Sequence, residues 1–237
     1  MAPKGIYEYT IARTKYMDGV FKEALVNRFE QILILGAGFD TRALRFRSEA
    51  VCTRIFEVDA AVTQAAKLNR YKEKGLELPA HVCFIVMDFD QDSLLEKLET
   101  KGCQKGRKSL FMMEGLLMYL DPESVDKTFR MIHDFARKGS EVAFDYVRAE
   151  VFRNPQGIYG GAEILKSTAK AGEKWRFGMD EDQIGLFLEP YDLKLMDHKT
   201  AEDLEKQYFT DETGKSPGRI NATHGLVRAK KKTYDHI

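Results

Sequence analysis

The chain has 237 residues, and 37 Lys+Arg balance 37 Asp+Glu, so its formal net charge is zero; 43% of it is hydrophobic and 31% charged. This mix excludes a disordered chain, and the neutral balance excludes a broad cationic field for gripping nucleic acid or an anionic membrane. Three cysteines (Cys52, Cys83, Cys103) without a CxxC pair exclude a disulfide framework and a thiolate zinc cluster, and they fit a reducing cytosol.

Residues 1–30 read as a helical N-terminal extension, because Val20, Phe21, Ala24, Leu25 and Phe29 recur at three- and four-residue spacing. The apolar run Gln31–Leu35 is a buried strand feeding the turn Gly36-Ala-Gly38-Phe-Asp40. Strand and helix then alternate. Arg54–Asp59 is a strand, and 60–74 is a helix with Val62, Ala65, Ala66 and Leu68 on its apolar side. Residues 82–87 form a strand that ends at Asp88-Phe89-Asp90, and 93–100 a short helix. Ser109–Met113 is a strand that ends at Glu114-Gly115. Asp121 and Pro122 open a helix as cap and first residue; Val125, Phe129, Ile132 and Ala136 face inward, and Gly139 closes it. Glu141–Val147 is the fifth strand.

Strands joined by helices require parallel crossovers and a doubly wound sheet. Residues 148–178, glycine-rich and carrying the single tryptophan Trp175, read as an insertion or lid. A helix at 180–188, a strand at 191–198 and a last strand at 220–230 follow. The polar stretch 210–219 is too short for a crossover helix, so the last two strands pair antiparallel. Lys230, Lys231 and Lys232 read as a solvated tail. The expected fold is one α/β domain over 1–237: a doubly wound, seven-stranded, mostly parallel sheet with an antiparallel C-terminal strand.

Ligands of open α/β sheets bind beyond the carboxyl ends of the strands. Gly36-x-Gly38 lacks the third glycine of a dinucleotide fingerprint, yet Asp59 ends the second strand where an acid reads ribose hydroxyls. Two nucleotide classes fit, NAD-like and S-adenosylmethionine-like. Asp40 lies where a pyrophosphate would sit, whereas Asp40, Asp59, Asp88 and Glu114 at strand ends suit a cationic cofactor.

The segments Ile32-Leu-Ile-Leu-Gly-Ala-Gly-Phe-Asp-Thr-Arg42, Phe56-Glu-Val-Asp59 and Glu114-Gly-Leu-Leu-Met-Tyr-Leu120 resemble the leucine carboxyl methyltransferase family. The resemblance implies a Rossmann-like class I methyltransferase with S-adenosyl-L-methionine as cofactor. It implies that Arg13 meets the cofactor carboxylate and that Gly36, with Gly38 in the same turn, lets the backbone approach closely. It further implies that Asp59 takes the ribose hydroxyls, Asp88 the adenine amino group with the Phe89 backbone beside the ring, and Glu114 the methionine ammonium and sulfonium. These are chemically apt pairings of guanidinium with carboxylate and of acceptor-only acids with hydroxyls and amines. The chain is shorter than eukaryotic members of that family, which favours a small-molecule acceptor over a protein C-terminus.

The expected reaction is O-methylation of a carboxylate or hydroxyl. The alternatives are methylation of a protein C-terminal carboxylate and a nicotinamide-dependent oxidoreductase. A carboxylate acceptor needs no base, whereas a hydroxyl needs one. Tyr119 and Tyr146 are catalytic candidates, His198 and His224 remain available as bases, and Asp145 stands beside Tyr146. The five histidines show no ligand spacing, so no metal is expected. Gly214-Lys-Ser-Pro-Gly218 matches a nucleophile-elbow pattern, but Pro217 lacks the backbone N–H the elbow needs. The N-terminal stretch has no apolar segment of a secretory signal, and no apolar run spans a bilayer, so a cytoplasmic protein with no membrane or nucleic-acid partner is expected.

Overall fold

The computed structural model describes residues 2–211, 213 and 218–233. The strands are β1 (Gln31–Leu35), β2 (Arg54–Asp59), β3 (Val82–Val86), β4 (Ser109–Met113), β5 (Glu141–Val147), β6 (Leu193–Lys199) and β7 (His224–Lys231). The helices are α1 (Ile6–Val26), α2 (Arg42–Arg45), α3 (Ala61–Glu73), α4 (Leu94–Thr100), α5 (Pro122–Phe135), α6 (Glu150–Arg153), α7 (Gly161–Ala171), α8 (Ile184–Leu188) and α9 (Ala201–Tyr208). Among the described residues, seven strands form one sheet in the order β3-β2-β1-β4-β5-β7-β6. The first five pair parallel; β7 runs antiparallel between β5 and β6. The order reverses at β1, so the crevice beside its end is the switch point where such sheets bind ligands.

Strand residues alternate between two cores. On one face Leu33, Phe56, Phe111 and Phe144 pack with Phe129 of α5 and with Leu188 of α8. On the other, Ile32, Ile55 and Met112 pack with Met17 and Phe21 of α1. The N-terminal helix is therefore a layer of the domain, and this packing holds Tyr9 and Arg13 near the strand ends. Among the described residues no helix is long and apolar enough to cross a membrane.

Several local expectations are corrected. Helix α3 buries Gln64, Lys67 and Tyr71 rather than Val62, Ala65, Ala66 and Leu68, and Val62 is 83% exposed. The cause is polar: Glu57 is buried in β2 and takes Lys67 as its ion partner, while the Gln64 amide donates to the carbonyl of Ile85 at 3.1 Å. Asp121 precedes α5 without a side-chain cap, because its carboxylate pairs with Arg176 at 2.7 Å. Helix α5 ends at Phe135, and Gly139, at φ +81°, instead forms the turn into β5. Helix α9 was not expected; it begins with a reciprocal capping box between Thr200 and Asp203. Lys230 and Lys231 belong to β7, and the buried Lys231 ammonium donates to the Tyr191 carbonyl at 3.4 Å. Residues 214–217 of the Gly214 to Gly218 pattern lie outside the described residues.

Candidate functional site

The turn after β1 is shaped by glycine. The amides of Gly36 and Ala37 donate to the Val58 carbonyl at 2.8 and 3.0 Å, drawing the turn to the end of β2. Gly36 has φ +69°, and a Cβ there would lie 3.0 Å from the Leu116 side chain, so both conformation and space require glycine. The Gly38 amide donates to one oxygen of Asp59, and the Ala60 amide donates to the other at 2.6 Å. Asp59 thus fixes the turn and the entry to α3 together. Asp40 accepts from the Arg42 amide at 2.6 Å and so occupies the start of α2.

A cavity of about 450 Å³ opens on this turn, lined among others by Arg13, Gly36, Gly38, Asp40, Arg42 and Glu114. Arg13 reaches in from α1 and pairs with Glu114 at 3.0 Å and Asp145 at 2.7 Å. Arg42 pairs with Asp18 at 2.8 Å, Asp40 at 2.5 Å and Glu114 at 2.8 Å. Asp145, fully buried in β5, also accepts from the Tyr9 hydroxyl at 3.0 Å and the Gly115 amide at 2.7 Å. Burial alone would lower the Arg13 pKa, but Asp145, Tyr9 and Glu114 outweigh it and hold the guanidinium firmly protonated. Burial and Asp145 likewise keep the Tyr9 phenol protonated well beyond its ordinary range.

The structure brings Arg13, Gly36, Gly38 and Glu114 to one cavity wall, with Asp59 bonded to the turn behind it. It does not form the ring of four free carboxylates expected from sequence. Asp40 and Glu114 are matched by Arg13 and Arg42, and the exposed Asp88 folds back to accept from the Asp90 amide at 2.9 Å. Phe89 lines a separate cavity with Met87 and Met131. The reason is charge balance: partly buried carboxylates pair with the nearest guanidinium groups. Sequence reasoning gave no role to Tyr9 or Arg42 and weighed Asp145 only with caution. Asp145 had a signal, a lone charge in the otherwise apolar run Val142 to Val147, whereas Tyr9 lies 136 residues from its partner.

A second cavity of about 250 Å³ shares Thr10 and Arg13 with the first. Tyr119 lines it, together with Tyr9, Trp175 and His224, and residues 148–178 contribute Ile164 and Trp175 to its wall. Burial raises the Tyr119 phenol above its ordinary pKa. Tyr146 lines neither cavity: it is fully buried, its hydroxyl lies 2.9 Å from His198, and a Cβ on Gly225 would approach its ring to 2.6 Å.

The family profile described as leucine carboxyl methyltransferase matches residues 1–133. The chain is 28% identical over 202 residues to YktD of Bacillus subtilis (strain 168), a protein named provisionally as an S-adenosyl-L-methionine-dependent methyltransferase; the match covers 85% of this chain and 66% of that one. It is 31% identical over 187 residues to a similarly named protein of Mycobacterium marinum, covering 78% of this chain and 58% of that one. The chain therefore spans 58–66% of the length of these relatives. Among solved structures, a methyltransferase so named from Thermobifida fusca superposes with a TM-score of 0.69 at 16% identity, covering 97% of this chain and 84% of that one. That likeness establishes the class I methyltransferase fold.

Proposed function

The chain belongs to the leucine carboxyl methyltransferase family, and from that premise we propose that it binds S-adenosyl-L-methionine at the glycine turn and methylates an oxygen, carboxylate or hydroxyl, of a small acceptor. The observation that carries this reading is Arg13 beside Glu114 at 3.0 Å in the wall of the 450 Å³ cavity at the sheet's switch point. A guanidinium next to a carboxylate is the complement of an α-amino acid, whose own carboxylate and ammonium stand side by side.

The residues fit this cofactor. Arg13 would hold its carboxylate and Glu114 its ammonium. Gly36 and Gly38 would let the backbone lie close to the nucleoside and Asp59 would accept from the ribose, whereas Asp88 and Phe89, expected at the adenine, lie outside this cavity's wall. The cofactor supplies an activated methyl group on a sulfonium leaving group, so the protein's task is to align the acceptor oxygen with it. Alignment alone contributes up to about 7–11 kcal/mol in ideal cases. A dinucleotide fits less well, since the Asp40 carboxylate already occupies the start of α2 where a pyrophosphate would bind.

The test is methyl transfer from an isotopically labelled donor across a panel of carboxylic acids and phenols. Incorporation into at least one class is expected, and donor binding without transfer to any would contradict the enzymatic reading. In the same assay Asp59→Ala is expected to weaken donor binding by about 1–3 kcal/mol, through lost hydrogen bonds. Unchanged affinity would restrict Asp59 to holding the Gly38 turn.

A further inference from the structure

We propose that the 250 Å³ cavity next to Arg13 is the acceptor site and that His224 takes up the acceptor's proton there, so that the acceptor is a planar hydroxyl compound, a phenol in the simplest case. The proposal rests on the methyltransferase reading above and chooses between its two oxygen classes. The cavity abuts the first at Thr10 and Arg13, and Gly115, in its wall, follows Glu114 directly. Groups held in the two cavities would be neighbours.

The state of His224 follows from its hydrogen bonds. Its Nδ1 lies 2.7 Å from Thr223 Oγ1. The Thr223 hydroxyl donates to Asn221 Oδ1, and the Asn221 amide nitrogen donates to the Lys4 carbonyl at 2.8 Å, which fixes the orientation of that amide. Thr223 Oγ1 can therefore only accept from the imidazole, so Nδ1 carries the hydrogen and Nε2 keeps its lone pair. Among the described residues Nε2 has no hydrogen-bond partner. The ring is clamped, stacked on Tyr9 at 4.4 Å between centroids and edge-on to Trp175 at 5.2 Å. Burial holds the imidazole pKa down at about 4, with Asp145 opposing and Arg13 reinforcing, so the ring is neutral at physiological pH.

Trp175 forms the wall beside His224. It is 5% exposed, and its indole Nε1 makes no well-aligned hydrogen bond among the described residues, although the Tyr119 hydroxyl lies close enough for the indole to lower the Tyr119 pKa. Ile6, Met118 and Ile164 give the wall an apolar part, and Thr10, Ser167 and Thr168 a hydroxyl-bearing one. The Nε2 acceptor, in a slot walled by the rings of Tyr9 and Trp175, is satisfied by a hydroxyl, which donates to it. A carboxylate would instead face the Nε2 lone pair, and the cation lining the cavity, Arg13, is the group assigned above to the cofactor's carboxylate. As the acceptor oxygen bonds to the methyl carbon, the carbon–sulfur bond breaks with its electron pair left on sulfur. The O–H proton passes to the Nε2 lone pair.

The chain has a single tryptophan, so the emission of Trp175 reports on this cavity directly. The full chain is first titrated with S-adenosylhomocysteine by calorimetry, and the complex is then titrated with phenol, 2-naphthol and benzoate while the emission is followed. The two phenols are expected to change the emission saturably and benzoate to bind about tenfold more weakly or worse. His224→Gln should lower methyl transfer to phenol by about 10²–10⁴-fold. The same variant should lower transfer to 4-nitrophenol, already ionised in mild alkali, by less than about tenfold, because no base is then needed. Benzoate binding as tightly as the phenols, no emission change with either phenol, or equal loss on both phenols in His224→Gln would overturn the proposal. The emission titration uses the unmodified chain, so it stands even if His224→Gln does not fold. Absence of S-adenosylhomocysteine binding would defeat the methyltransferase reading itself; binding without a phenol response would defeat only the acceptor assignment.

Discussion

Asp145 accepts from Tyr9, Arg13 and Gly115 while fully buried, and it thereby joins α1, β4 and β5 behind the site. Asp145→Asn keeps the shape but leaves Arg13 short of a buried counter-charge. A loss of roughly 3–5 kcal/mol in urea unfolding is expected; a loss below about 1 kcal/mol would mean that the network is solvated. His224 gives a pH-dependent prediction. Its pKa is about 4 in the folded chain against an ordinary 6.5, so between these values the unfolded chain binds more protons. Its contribution is complete above pH 6.5 and is lost as pH falls through 4, about 3 kcal/mol in all. His224→Gln should flatten the decline of stability over that interval, and an unchanged slope would contradict it. At this scale the sequence is partly legible. The lone acid in an apolar strand announces a buried partner, but nothing near Tyr9 or His224 announces that their rings stack.

Helix α5 is the element most plainly written in the sequence, with Val125, Phe129 and Ile132 at helical spacing and all buried. Phe129 meets Phe144, Phe187 and Tyr191 at centroid distances of 5.4, 4.9 and 5.2 Å. Phe129→Ala should cost about 3–5 kcal/mol in chemical denaturation, since no neighbour can fill the void; a cost under about 1 kcal/mol would mean that this core relaxes freely. Helix α3 defeats the same reasoning. Val62, Ala65 and Ala66 face outward because the sheet beneath presents a buried Glu57 and the Ile85 carbonyl, which take Lys67 and Gln64. Periodicity reports which side is apolar, and here the need for polar partners overrides it. The capping box Thr200 to Asp203 is the readable mark of α9, which buries only Leu204 and so carries almost no periodic signal.

At the scale of the whole molecule, the doubly wound, mostly parallel sheet follows from short apolar runs alternating with helices, and the glycine turn stands where the observed strand order puts a ligand. The charge pattern of the site is not legible in the same way. Four strand-end acids look like an anionic cradle until the fold brings Arg13 and Arg42 against two of them. What survives is a compensated pair matched to a zwitterion, and the account depends on it. Calorimetric titration with S-adenosylhomocysteine, with NAD as the parallel ligand, tests this most directly. One molecule of S-adenosylhomocysteine bound per chain, with no heat from NAD, is the predicted result. Saturable NAD binding with none of S-adenosylhomocysteine would contradict the account.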